Sequence, residues 1–227
     1  DKTAVTGNTY YYAVKAVSGK WGSTVYSDYV TNVTGKVLPA RAKITNAQSW
    51  GYNKAKITWD KVSGATGYRL YYKITAKGTW KYVTEIKNGN TTSYVQSGLT
   101  SGRDYYYVVR AYRTVNGTKY FGADSEVRSV RPVPWIVKIS KVTAGTGQAK
   151  VTWDKIPGAT GYSLYYKTSK NGAWQYAAHI GNGSTTSYTD KGLKKSQTVY
   201  YRMRAYRKVS GKQVFGGYSA EKSVKIK

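Results

Sequence analysis

The chain has 227 residues and no cysteine, so thiol chemistry and disulfide staples are excluded. Lys and Arg number 37 against 10 Asp and Glu, a net charge of +27, distributed as +2 over residues 1–38, +11 over 39–133 and +14 over 134–227. Such a field draws polyanions and repels cations, and no apolar run approaches the ~18 residues that span a bilayer.

Residues 1–38 match only the end of a unit that follows twice more. Gly7 to Ala16 aligns with Gly102 to Ala111, and Ser27 with Ser125. The segment reads as the closing hairpin of an incomplete domain, with further domains expected upstream. A lone hairpin is marginal in water, so it either packs on its neighbour or is completed by another chain.

Residues 39–133 hold a full set of strands. Ala42–Ser49 is predicted as the first and Lys54–Asp60 as the second, with Ala55, Ile57 and Trp59 on one face and Lys54, Lys56 and Thr58 on the other. After the turn Ser63–Gly67, Tyr68–Thr75 points Tyr68, Leu70 and Tyr72 inward and Arg69, Tyr71 and Lys73 outward. Short strands follow near Trp80–Thr84 and Thr92–Val95. The longest is Tyr105–Arg113; Asn116-Gly117 is a hairpin turn and Ser125–Val130 closes the domain. No segment has helical periodicity. The spacing predicts an all-β chain of seven-stranded antiparallel β-sandwiches.

Residues 134–227 repeat these steps. Trp59, Trp80, Tyr94 and Ser125 return as Trp153, Trp174, Tyr188 and Ser219, each 94 residues later. A repeat this long is a duplicated domain. The connections Lys36–Pro39 and Arg131–Pro134 are short and carry proline, so they are expected to act as semi-rigid spacers.

The inward Trp on the second strand, the Gly-Tyr opening the third, the Leu before the sixth and the Tyr-x-Val-x-Val-x-Ala-like sixth strand resemble the fibronectin type III domain. The Trp-Asp-Lys-Val-x-Gly-Ala-Thr-Gly-Tyr version is similar to repeats in secreted and surface proteins of Gram-positive bacteria. The resemblance implies a sandwich with Trp59 and Trp153 in the core. It also implies a tyrosine corner at Tyr10 and Tyr105, a position held by Val199 in the last domain.

Chemistry for catalysis is sparse. His179 is the single histidine, and the acids are scattered; Asp124 and Glu126 are expected to share one strand face. The reading is therefore no enzyme, no cofactor and no metal. Candidate binding residues lie on the outward faces of the third and sixth strands. These are Arg69, Tyr71, Lys73, Tyr106, Arg110 and Tyr112, then Tyr165, Lys167, Tyr200, Arg202, Arg204 and Tyr206. Interleaved rings and cations can grip carboxylates or phosphates, or simply stack on one another. Trp80 and Trp174 are added as partly exposed rings near turns. The expected partner is an anionic cell-wall polymer, an acidic glycan or a host surface protein. Nothing resembles an RNA- or DNA-binding module. The chain reads as a non-catalytic spacer or binding module of an extracellular or cell-surface bacterial protein, with an adhesin acting through these faces as the alternative.

Overall fold

The computed structural model describes residues 3–20 and 23–227, and every regular element among them is a strand. The first four are β1 (Thr9–Val14), β2 (Val17–Lys20), β3 (Ser23–Tyr26) and β4 (Val30–Lys36). β1 pairs antiparallel with β4, Tyr11 opposite Thr34, and β2 with β3. Tyr11 and Val14 are exposed.

The first sandwich runs β5 (Ile44–Ser49), β6 (Ala55–Trp59), β7 (Gly67–Lys73), β8 (Lys81–Ile86), β9 (Ser93–Gln96), β10 (Tyr105–Val115), β11 (Thr118–Phe121) and β12 (Arg128–Val130). One sheet has the order β5-β6-β9; the other is β8-β7-β10-β11, with β12 also on β10. The second sandwich repeats this with β13 (Ile139–Gly145), β14 (Gln148–Trp153), β15 (Gly161–Lys167), β16 (Gln175–Ile180), β17 (Ser187–Lys191), β18 (Thr198–Val209), β19 (Lys212–Phe215) and β20 (Lys222–Lys225). Its sheets are β13-β14-β17 and β16-β15-β18-β19, with β20 on β18. A three-stranded sheet facing a five-stranded one, all antiparallel, is the fibronectin type III-like arrangement.

The cores follow the strand alternation. Trp59, Tyr68, Leu70, Tyr107 and Val109 pack between the first two sheets; Trp153, Tyr162, Leu164, Tyr201 and Met203 do so in the second. The Tyr68 hydroxyl accepts from Val62 N at 3.0 Å and donates to Gly89 O at 3.2 Å; Tyr162 does the same with Ile156 and Gly183, both at 3.1 Å. This phenol therefore ties the turn that precedes its strand to the turn after the next one, which is why the repeated Gly-Ala-Thr-Gly-Tyr stretch is structural.

Of the expected closing strand, Ser125–Val130, only Arg128–Val130 forms, as β12, and β11 precedes it. β11 and β12 both pair with β10, and between them the Ser125 hydroxyl accepts from Val109 N at 3.0 Å in place of a ladder bond. Ser219 does the same for Met203 N at 3.0 Å. Asp124 and Glu126 fall in this irregular stretch, so they do not share a strand face as expected. Trp80 likewise lies just before β8 rather than within it.

The tyrosine corners are visible as hydrogen bonds. Tyr10 Oη accepts from Val5 N and Tyr105 Oη from Thr100 N, each at 2.8 Å. In the last domain Val199 is fully buried and the equivalent amide, Lys194 N, donates to Gln197 Oε1 at 3.4 Å.

Candidate functional site

The antiparallel pairing of β7 with β10 sets Arg69 opposite Arg110, Tyr71 opposite Val108 and Lys73 opposite Tyr106. On the outer face of that sheet Arg69 stacks on Phe121 with its guanidinium carbon 4.5 Å from the ring centre. Its Nε donates to Glu85 at 2.8 Å, and Lys119 reaches the other oxygen of the same carboxylate at 2.5 Å. Hydrogen bonds from Lys119 and Arg69 hold the Glu85 carboxyl down at about 2, against an ordinary 4.5. Arg110 donates Nε–H to Gly122 O at 2.8 Å and sits 3.6 Å from Asp124. Lys73 lies 4.5 Å from the centre of the Trp80 ring and donates to Ala76 O at 2.6 Å. Tyr71 meets Tyr82 edge-on.

The second sandwich keeps the positions and changes the chemistry. Lys167, only 8% exposed, lies 4.6 Å from the Trp174 ring centre and pairs with Glu221 at 2.9 Å. Beyond it, rings and guanidinium groups alternate. Arg202 stands 4.4 Å from Trp174 and 3.9 Å from Tyr218; Arg204 stands 4.8 Å from Tyr218 and 3.8 Å from Phe215. Arg204 also donates Nη2–H to Tyr165 Oη at 3.2 Å. Tyr200 faces the Lys167 ammonium at 5.3 Å.

Two candidates are corrected. Tyr112 and Tyr206, expected on the outer face, are 2% and 3% exposed. Each follows the outward alternation of its strand, but the hairpin strand beside it folds a phenylalanine onto the ring, Phe121 at 5.5 Å and Phe215 at 5.8 Å. Their phenols are pushed up, chiefly by burial. His179, on β16, stacks on Tyr206 at 5.3 Å and 17°, with Nε2 3.1 Å from its hydroxyl. Among the described residues no group of three His, Cys, Asp or Glu could hold a metal ion.

The joint between the sandwiches holds residues that sequence reasoning missed. Trp50, Val133, Pro134, Trp135 and Ile136 line an open, apolar crease of about 680 Å³, with Trp135 and Ile136 47% and 62% exposed. Ser49 Oγ donates to Val133 O at 3.1 Å and accepts from Val133 N at 2.9 Å, fastening the linker to the end of β5. The signal was a break in the repeat: Trp50 and Trp135 correspond to Gly145 and Ala40.

No helix among the described residues is long and apolar enough to cross a membrane. No family model matches the chain. Among curated proteins it is 26% identical over 204 residues to the tRNA nuclease WapA of Bacillus subtilis, 85% of the chain but 7% of that protein. It is 28% identical over 173 residues to a Kelch domain-containing protein of Saccharolobus solfataricus, 73% of the chain and 22% of the relative. An amylopullulanase of Thermoanaerobacterium saccharolyticum is 22% identical over 121 residues, 53% of the chain and 9% of the enzyme. Among solved structures it aligns with a two-domain fibronectin type III segment of chicken tenascin (17% identity, TM-score 0.49, 83% of this chain and 99% of that one) and with the FN1-FN3 domains of chicken CNTN1 (16%, 0.39, 98% and 78%). The expectation that the protein stands apart from enzymes is overturned by these matches, since the relatives include proteins named as tRNA nucleases.

Proposed function

We propose that the chain is a tandem fibronectin type III-like spacer and binding module of a longer, secreted or cell-surface bacterial protein. It sets the distance between other parts of that polypeptide and presents basic, ring-studded sheet faces to anionic partners. The observation that carries this reading is that both joints are built alike. At the first, the position a Cβ would take at Gly7 lies 2.6 Å from the Tyr120 ring; at the second, the Cβ position at Gly102 lies 2.7 Å from Val214. Tyr120 and Val214 are the same site 94 residues apart. Gly7 N donates to Val37 O at 2.9 Å and Gly102 N to Pro132 O at 2.8 Å. Each sandwich thus rests its β10–β11 or β18–β19 hairpin on the glycine turn of the unit before it, and both glycines have positive φ, 95° and 78°, where a side chain is strained.

The relatives support the same reading. A segment that matches 7% of a tRNA nuclease and 9% of an amylopullulanase accompanies unlike activities. The activity named for such relatives is, on this reading, one that the sandwiches position.

Small-angle scattering of the full chain tests the spacer. A rod of one maximum dimension, lost when Tyr120→Ala is combined with Val214→Ala, is expected. A broad shape distribution for the unaltered chain would overturn it.

A further inference from the structure

The two outer faces differ most where their backbones agree. In the first sandwich Arg69 and Arg110 each have a carboxylate beside them, Glu85 and Asp124. At the same offset in the second, both carboxylates are gone, replaced by His179 and Tyr218. A new arginine, Arg202, stands where the first sandwich has the buried Val108. Neither Arg202 nor Arg204 has a carboxylate within 4.0 Å among the described residues, and the Nε of each is buried without a hydrogen-bond partner. The equivalent Arg110 satisfies its Nε on Gly122, a bond that Arg204 Nε does not make. Two guanidinium groups flanking one tyrosine ring repel each other, and stacking offsets only part of that repulsion. An oxyanion at their outer Nη edges would offset that repulsion through charge-assisted pairing, while the buried Nε–H groups lie beyond its reach.

Resting on the module reading above, we propose that the ladder around Arg202, Arg204 and Tyr218 is a binding site for an acidic polysaccharide, through its carboxylate or sulfate groups. The first sandwich, with its arginines already paired, lacks this site. Ring geometry selects against single-stranded nucleic acid: Tyr218 lies against both arginines and Trp174 against Arg202 and Lys167, so bases lose the open platforms they stack on. The site also lies on a sheet face, where no free backbone edge is offered to an extended acidic peptide.

The test measures binding of the full chain at physiological salt to a sulfated heparin oligosaccharide and a carboxylated oligogalacturonate, with poly(U) and polyglutamate as rivals. Arg202→Val and Tyr218→Asp each import the residue of the first sandwich, so the fold is retained, as a thermal melt checks. Each is expected to weaken binding to at least one oligosaccharide by about tenfold, while Arg110→Gln leaves it within about twofold. Parent-like binding by both variants would overturn the proposal and leave the ladder a stabilising stack. So would tighter, ladder-dependent binding of poly(U) or polyglutamate. Neither result touches the scattering test of the joints.

Discussion

The ring of Tyr52, at the end of the first sandwich, lies over Gly158 of the second, so closely that a Cβ there would enter the ring. Arg207 stacks on the same ring at 4.7 Å and donates Nη1–H to Gly158 O at 2.9 Å. In the first sandwich Arg113 makes the same bond to Gly64 O at 3.2 Å, with no Tyr52 to cover it. Tyr52 thus takes a bond internal to one domain and makes it the floor of a joint.

Gly158→Ala should therefore loosen the joint. Its φ of 72° already strains any side chain by roughly 1–2 kcal/mol, and the added methyl must displace Tyr52. The expected outcome is a lower melting temperature for the second sandwich together with a wider scattering profile. Gly64→Ala, at φ 71°, carries the same local strain and should leave the joint between the sandwiches unchanged.

Acid should weaken the first sandwich before the second. Glu85 is held at about 2 by Lys119 and Arg69, against an ordinary 4.5. A depressed carboxylate stabilises the fold above its unfolded value, and that contribution is lost as pH falls from 4.5 through about 2. Arg131 lowers Asp104 in the same direction, at 2.6 Å. Glu85→Gln should flatten the pH dependence of the first sandwich's melting over that window, measured by calorimetry. The second sandwich, with His179 at that position, should be unaffected by the substitution.

Removing a corner hydroxyl tests how the last domain manages without one. Tyr105→Phe leaves Thr100 N without its 2.8 Å acceptor and should cost about 1 kcal/mol in denaturant unfolding. Gln197→Ala removes the longer 3.4 Å substitute at Lys194 and should cost less. Equal losses would mean that Gln197 replaces the corner fully.

The two core tryptophans should be interchangeable in their energetics. Trp59 and Trp153 are each 2% exposed and each 5.4 Å from the tyrosine that opens the next strand. Trp59→Ala and Trp153→Ala should each destabilise their own sandwich by about 3–5 kcal/mol. The indole nitrogen of each is buried without a partner, so Trp→Phe should cost less than the lost ring area alone suggests.

What lay in the sequence was whatever a single strand decides for itself. Alternation at a period of two placed Trp59, Tyr68, Leu70 and their counterparts inside, because the pleat turns successive side chains to opposite faces. It also placed Arg69, Tyr71, Arg202 and Arg204 outside, and the antiparallel register then brought them onto one face per sheet. What only the tertiary structure decided was how much of the outside is covered, and by what. Tyr112 and Tyr206 point outward and are still buried, because the next strand's Phe121 and Phe215 close over them. Whether an arginine is paired depends on residues 14 or 16 positions away, as with Asp124 for Arg110 and Glu85 for Arg69. Tyr52 meets Gly158 across a linker, a contact that no local pattern encodes. Alternation is a property of one strand, whereas cover, pairing and joints arise from elements that are distant in sequence and meet only when the sheets assemble.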